Sequence, residues 1–226
     1  MSDLATLLLA RLDAGFSTSR DPVRATAMAA YMRDQFPYFG LPAPALRSLF
    51  RVAIGGLPPP APDDLREIAL ACWARPEREF QYVACDYLRR FVAVAEPGFV
   101  PVLHTLITTK SWWDTIDPLA TRFTGDLVRA HPTLVPVMDE WSAAENKWLI
   151  RTAILHQLHY GEATDTTRLF DYCTRQAGHS DFFVRKAIGW ALRHYARTNP
   201  AAVREYLTTH HDQLSPLSVR EASKHL

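Results

Sequence analysis

The chain has 226 residues, of which 48% are hydrophobic and 22% are charged, and its formal net charge is +1. This length and apolar content allow a sizeable core in one domain or in one elongated repeat array. The cysteines are Cys72, Cys85 and Cys173. Their odd number and the absence of C-x-x-C spacing argue against a disulfide framework or a zinc ribbon, and they favour a reducing compartment.

The N-terminal segment MSDLATLLLARLDAGF, residues 1–16, contains only a short apolar run, which Asp3 and Arg11 interrupt. This is not the pattern of a signal peptide. No run elsewhere approaches the roughly 20 apolar residues that a membrane-spanning helix needs. We therefore expect a cytoplasmic protein that has no membrane partner.

The first 60 residues are predicted to form about three helices. A break falls at FPYFG, residues 36–40, where Pro37 and Gly40 interrupt the helical pattern. We interpret residues 1–60 as an N-terminal helical cap on the repeats that follow. The whole chain, residues 1–226, is then a single domain.

From residue 61 onwards, signals for the start of a helix recur every 34 or 35 residues. Four are prolines suited to the first helical position, and the fifth is a threonine in a Thr/Asp-rich segment that can cap a helix. The five positions are Pro62, Pro97, Pro132, Thr166 and Pro200. Although 16 prolines allow a chance alignment, this period fits two helices and two turns. The sequence therefore predicts an all-α fold, a solenoid of helical hairpins of the TPR, armadillo or HEAT kind.

Aromatic and charged residues recur at matching positions of three consecutive repeats. Counted from the start of its own repeat, each lies at position 16, 19, 20, 24 or 27, and these positions share one face of a helix. The residues are Trp113, Asp117, Trp148, Arg151, Lys186, Trp190 and Arg193. All belong to the second helix of a hairpin, which lines the concave surface of a solenoid. We expect them to converge on one groove.

The segment FFVRKAIGWALRHYAR, residues 182–197, predicts a helix with an apolar stripe on one side. The opposite side carries Lys186, Trp190, Arg193 and Arg197. At ~100° per residue these four lie within about 60° of one another. A surface that faces phosphates suits such neighbours of a tryptophan, whereas the alternative is that a second layer of helices buries the ring.

Cationic side chains concentrate in the C-terminal half of the chain. Residues 147–204 contain nine Lys/Arg and four Asp/Glu, which is a local charge of +5. One of these cations, Arg151, lies in a predicted helix that is apolar nearly all round, so its charge must be paired or must face something polar. A salt bridge to Asp114 or Asp117 and a contact with a phosphate both satisfy this requirement.

Several segments, in this order and spacing, resemble the AlkD-type DNA alkylation repair enzymes, which are HEAT-like-repeat DNA glycosylases. They are YMRDQFPYFGLPAPALR, SWWDTID, WLIRTAILHQL and FFVRKAIGWALRHYARTNP, which begin at residues 31, 111, 148 and 182. The resemblance implies a HEAT-like repeat solenoid with a concave DNA-binding groove. It also implies excision of N3- and N7-alkylated purines, such as 3-methyladenine and 7-methylguanine, from double-stranded DNA. It further implies a monofunctional enzyme that needs no metal and no other cofactor, and it implies no obligate protein partner.

Carried over residue by residue, the resemblance places Trp113, Asp117 and Trp190 in a catalytic cluster. It places Arg151 at the DNA backbone and Tyr31 beside the lesion. The further cations that we expect to bind DNA are Lys186, Arg193 and Arg197.

The chemistry fits these residue types. An N3- or N7-alkylated purine is a cation, and it therefore leaves the sugar without a general acid. One carboxylate, which we assign to Asp117, can stabilise the oxocarbenium-like sugar and hold the attacking water. The faces of Trp113 and Trp190 suit a cationic nucleotide.

Each acid of SWWDTID also has a structural alternative. Asp114 is interpreted as a helix N-cap in preference to a catalytic residue. Asp117 precedes Pro118 and could also be an N-cap, although we favour catalysis because Trp113 lies one helical turn before it. Two histidine groups, His156 with His159 and the run from His210 to Asp212, lack a third ligand at zinc spacing, so no metal site is predicted.

Two other functions compete with a glycosylase. The first is a non-catalytic HEAT-repeat protein that binds damaged or branched DNA by shape and charge. The second is a protein-binding scaffold, which is a common use of helical repeats. A steep salt dependence of DNA binding would distinguish a DNA-binding protein from a scaffold.

Overall fold

The computed structural model describes residues 1–226, apart from the side chain of His225. Every regular element within these residues is helical, so the predicted all-α class is confirmed. No helix of this described part has the length and the apolar character needed to cross a membrane. The chain divides into two compact units, residues 1–102 and residues 103–226, which are described in turn.

The first unit consists of three N-terminal helices followed by one helical hairpin. The helices are α1 (Asp3–Thr18), α2 (Pro22–Tyr31), α3 (Ala43–Ile54), α4 (Pro62–Ala74) and α5 (Arg78–Arg90). Helix α1 packs against α3 and α4, and α4 packs against α5. The prediction of about three helices before residue 61 is confirmed.

The break between α2 and α3 is held by one buried carboxylate. The side chain of Glu79 accepts hydrogen bonds from the backbone N–H groups of Phe39, Gly40 and Leu41 at 3.0, 2.9 and 3.1 Å. Gly40 has φ +90°, and a Cβ there would lie 2.2 Å from the carbonyl oxygen of Asp21. The FPYFG segment is therefore a defined turn that requires glycine at this position.

The second unit continues the series of hairpins. Helix α6 (Val100–Thr108) crosses the boundary of the two units, and the later helices are α7 (Trp113–Pro118), α8 (Gly125–Ala130), α9 (Val135–Ser142), α10 (Lys147–Leu155), α11 (Thr166–Arg175), α12 (Phe182–Tyr195), α13 (Pro200–Thr209) and α14 (Pro216–Ala222). The second helices of successive hairpins pack side by side, α7 against α10, α10 against α12 and α12 against α14. Within this unit, that succession is the packing of a helical-repeat solenoid. The concave groove stays a prediction.

The predicted period of 34 or 35 residues coincides with the helix starts. Pro62, Thr166 and Pro200 are the first residues of α4, α11 and α13. Pro97 and Pro132 each open a short 3₁₀ turn that leads directly into α6 and α9. Proline suits these positions because the first N–H groups of a helix have no partner within the helix.

Residues 113–130 form one continuous helical segment with an irregular centre. A π-helical stretch, Leu119–Thr124, joins α7 to α8. It directly follows Pro118, which has no N–H to donate within the helix. The hydroxyl of Thr121 donates to the carbonyl oxygen of Asp117 at 2.8 Å. Pro118 therefore lies within a helix, where it is accompanied by a wider turn.

The interpretation of Asp114 as an N-cap is wrong, and the N-cap alternative for Asp117 is also excluded. The N-cap of α7 is Trp112, which has extended backbone geometry. Asp114 lies inside the first turn, where its carboxylate accepts the N–H of Thr115 at 3.1 Å. Asp117 lies further inside the helix, so Pro118 does not make it a cap.

Candidate functional site

A cavity of about 250 Å³ lies between α7, α10 and α12 in the second unit. It is lined by Trp113, Asp117, Arg151, Phe182, Phe183, Lys186, Trp190 and Arg193. Six of these eight residues were expected to share one groove because they occupy matching repeat positions. The side-by-side packing of the second helices brings them together from three repeats.

An ion pair occupies the wall of this cavity. Arg151 Nε donates to Asp117 Oδ1 at 2.8 Å and Arg151 Nη2 donates to Asp117 Oδ2 at 3.0 Å, so the contact is bidentate. Arg151 Nη1 donates to the carbonyl oxygen of Phe183 at 2.5 Å. The Arg151 side chain is 4% exposed and that of Asp117 is 20% exposed. Of the two partners considered for Arg151, the salt bridge to Asp117 is present.

Two opposed influences act on the pKa of the Asp117 carboxyl. Burial raises its pKa above the ordinary aspartate value, and the charge and hydrogen bonds of Arg151 act in the opposite direction. The nearby charge of Asp114 also raises the pKa. The result is a carboxylate that is poorly solvated and held in a fixed orientation by a guanidinium, which is the state of a preorganised electrostatic group.

The aromatic residues divide between the cavity and a cluster behind it. Trp113 and Trp190 line the cavity, and the guanidinium carbon of Arg151 is 5.9 Å from the centre of the Trp190 ring. The adjacent Trp112 packs against Phe183 at 5.3 Å between ring centres. Trp148, which was expected in the same groove, is 6% exposed and lies 4.9 Å from the Phe183 ring instead of lining the cavity.

Phe182 was missed by the sequence analysis. It is the first residue of α12, is 56% exposed and lines the cavity. The doubled phenylalanine at the start of the segment was a usable signal, because an apolar side chain at the first turn of a helix has few helical neighbours. An exposed ring at the edge of a cavity is suited to contact a flat ligand.

The predicted DNA-binding cations Lys186 and Arg193 line the cavity, and both are paired. Lys186 Nζ lies 2.8 Å from Glu221 Oε1, and Arg193 Nη1 lies 3.1 Å from Glu221 Oε2. Glu221 belongs to α14 and was also missed, because its partners lie one repeat earlier in the chain. Arg197 is exposed beyond the end of α12 and does not line the cavity.

Tyr31 belongs to the first unit, where it is the last residue of α2 and is 73% exposed. It lines a separate cavity of about 240 Å³ within that unit, together with Met28 and Tyr38 among others. The two residues that follow Met32 have positive φ, 57° at Arg33 and 56° at Asp34. A strained turn therefore follows the exposed tyrosine.

The histidine groups considered for metal binding are placed differently. His156 is buried, and its Nδ1 is 2.7 Å from the carbonyl oxygen of Ala153. The ring of His159 packs at 5.3 Å against that of His194. Among the described side chains, no group of three or more His, Cys, Asp or Glu residues is arranged to hold a metal ion.

Comparison with known proteins identifies relatives that match most of the chain. The sequence model of the DNA alkylation repair enzyme family matches residues 12–226. A solved structure of a predicted DNA alkylation repair enzyme from Enterococcus faecalis is 34% identical, with a TM-score of 0.84 over 92% of this chain and 96% of that chain. The crystal structure of smu.31 from Streptococcus mutans UA159 is 15% identical, with a TM-score of 0.63 over 80% of this chain and 93% of that chain. The latter likeness concerns the fold alone. No protein of curated function matches.

Proposed function

Because the chain belongs to the family of DNA alkylation repair enzymes, we propose that it is a DNA glycosylase of base excision repair. Its substrates would be cationic N3- and N7-alkylated purines in duplex DNA, such as 3-methyladenine and 7-methylguanine. The observation that carries the proposal is the Asp117 carboxylate, held bidentately by Arg151 in a cavity that two tryptophans also line.

The charge of the lesion decides what the site must supply. Alkylation at N3 or N7 makes the purine a cation, so it departs as a neutral base when the N-glycosidic bond breaks. No side chain needs to protonate it. The bonding electrons leave with the base and the positive charge moves to the sugar, which becomes oxocarbenium-like as in other glycoside hydrolysis.

Asp117 is the group that would act on this sugar. A carboxylate that is already oriented and partly desolvated stabilises a developing positive charge without reorganising at the moment of reaction. It can also accept a hydrogen bond from the water that attacks the anomeric carbon. Arg151 would act through Asp117 as a positioning residue, because two of its hydrogen bonds fix the carboxylate plane.

The tryptophans would hold the cationic nucleotide. Indole faces attract cations with energies of about 0.5–2 kcal/mol, depending on solvation. Trp113 and Asp117 lie one helical turn apart on α7, and both line the cavity. Ring and carboxylate can thus act on one positively charged residue of the DNA.

The test is release of 7-methylguanine from a duplex oligonucleotide by the purified protein in EDTA. We expect release by the wild type, and an Asp117→Asn rate that is lower by about 10²–10³-fold, the loss typical of one preorganised electrostatic group. Duplex binding by the variant should be nearly unchanged. Asp126→Asn is the matched control, since Asp126 lies in the same helical segment and pairs at 3.2 Å with the exposed Arg129 away from the cavity.

The possible results separate the alternatives. Equal release by wild type and Asp117→Asn would remove Asp117 from the mechanism. Release that stops in EDTA and returns with a divalent metal would contradict metal independence. DNA binding without release of any alkylated purine would favour the non-catalytic HEAT-repeat function.

A further inference from the structure

The C-terminal helix places a buried carboxylate against two cations of the cavity. The Glu221 side chain is 5% exposed. Besides Lys186 and Arg193 it pairs with a third cation, Lys224, whose Nζ lies 2.7 Å from Glu221 Oε1. The hydrogen bonds of Lys186 and Lys224 lower the pKa of Glu221 to about 2. Glu221 is therefore ionised throughout the neutral range, and its charge is permanently opposed to those of the cavity cations.

The packing of α14 on α12 fixes the position of this carboxylate. Gly189 has no side chain where the two helices meet, and a Cβ there would lie 2.5 Å from Glu221 Cβ and 2.9 Å from the carbonyl oxygen of Ser218. The hydroxyl of Ser218 donates to the carbonyl oxygen of Arg185 at 2.9 Å. Close backbone contact therefore holds Glu221 beside the cavity, unlike a loosely formed ion pair on an exposed surface.

The charges that line the cavity explain why a carboxylate is needed here. Arg151, Lys186 and Arg193 are cations, and Asp117 is the opposing anion among the lining residues. A cationic base that enters would meet a net lining charge of +2. Charges near a partly buried site interact more strongly than in bulk water, so this repulsion would oppose binding of the lesion. Lys224 adds a further positive charge beside Glu221. The local charge is therefore +2 with the Glu221 carboxylate and would be +3 without it.

We propose that Glu221 is a specificity-determining residue that pairs with Lys186 and Arg193 and thereby lowers the positive charge that a cationic base meets in the cavity. This inference rests on the proposed function, because a cationic lesion is what benefits from the additional anion. The same pairing weakens the attraction of the two cations for DNA phosphates. Glu221 therefore favours the alkylated site over undamaged duplex in two ways.

The variant Glu221→Gln tests the proposal with two measurements that should move in opposite directions. The single-turnover efficiency of 7-methylguanine release should fall about tenfold, since one nearby opposing charge is removed. Affinity for undamaged duplex should rise, about threefold, and its salt dependence should steepen by about one phosphate contact. A residue with a merely structural role would lower both quantities when it is replaced.

Two further variants serve as control and rescue. Lys224→Gln disturbs the same ion cluster by removing a cation that does not line the cavity. Because it removes a positive charge, it should not lower release, in contrast to Glu221→Gln. The double variant Glu221→Gln/Lys186→Gln restores the charge balance, and it should recover release relative to Glu221→Gln. Melting temperatures of all variants establish that each is folded. If Glu221→Gln alone does not fold, the double variant is compared with Lys186→Gln, relative to which its release should be lower and its affinity for undamaged duplex higher.

Three results would overturn the proposal: unchanged release by Glu221→Gln, parallel loss of release and duplex affinity, or no recovery in the double variant. If the wild type releases no alkylated base, the proposed function fails. The affinity for undamaged duplex then still tests whether Glu221 neutralises the cavity cations. If Glu221→Gln binds undamaged duplex more tightly than the wild type, Glu221 weakens the attraction of Lys186 and Arg193 for DNA phosphates. An unchanged affinity contradicts this.

Discussion

The ion pair between Asp117 and Arg151 makes a quantitative prediction about stability. Arg151→Met removes the cation and keeps an unbranched apolar side chain of similar length. It leaves the Asp117 carboxylate, 20% exposed, without its bidentate partner. Asp117→Asn does the reverse and leaves a guanidinium, 4% exposed, with one neutral acceptor in place of the carboxylate.

The expected magnitudes follow from this burial. Removing one partner of a buried pair costs about 3–5 kcal/mol of unfolding free energy. Because a fifth of the Asp117 side chain is exposed to solvent, we expect Arg151→Met to lose about 2–4 kcal/mol of unfolding free energy and Asp117→Asn to lose a similar amount. The double variant removes both charges and should be more stable than the sum of the single losses predicts, by about 1–3 kcal/mol.

The assay is urea unfolding of the four proteins at pH 7, with equal m-values as the test that the compared states are the same. In Arg151→Met the pKa of Asp117 should rise further, because the influence that opposes burial is lost. The folded state then binds a proton more tightly than the unfolded state, so the loss should be smaller at pH 5 than at pH 7. Additive single losses, or an equal loss at both pH values, would refute the role assigned to this pair.

Two further predictions concern packing in the second unit. Burial lowers the pKa of His156 from 6.5 to about 4. The contribution of neutral His156 to the unfolding free energy should therefore be fully present above pH 6.5, and about 3 kcal/mol of it should be lost as the pH falls to 4. In urea titrations, His156→Gln should lack this part of the pH dependence, and an equal decrease in the variant and the wild type would contradict it. Gly189→Ala should cost about 1–3 kcal/mol because its Cβ would meet α14. Gly178→Ala, where a Cβ meets nothing within 4 Å, should change stability by less than about 0.5 kcal/mol, and equal losses would refute the argument.

The repeat architecture could be determined from the sequence alone. Helix starts depend on local chemistry, since a proline at the first position or a capping side chain acts within one turn. The recurrence of Pro97 and Pro132 at one spacing therefore located hairpins without knowledge of their contacts. Position within the repeat then placed Trp113, Asp117 and Trp190 on corresponding helices, and the structure places all three around one cavity.

The structure was needed to decide between the alternative roles of the acids in SWWDTID. The sequence allowed Asp117 to be a cap or a cavity residue, because a proline after it can begin a helix or lie within one. A π-helical stretch resolves this by accommodating Pro118 inside the helix. Its stability depends on packing of Leu119–Thr124 against α10, which is a contact between repeats.

The partners of the cavity residues were decided by tertiary structure. Arg151 had two candidate acids and a candidate phosphate, and only the relative placement of α7 and α10 brings Asp117 to 2.8 Å. Glu221 gave no signal in the sequence, because a carboxylate on a short terminal helix resembles any solvated acid until α14 packs on Gly189. Periodicity specifies the face of a helix on which a residue lies, since it follows from the local geometry of the backbone. The choice of partner depends on distances between helices that no local pattern encodes, and those distances determine the charge of this cavity.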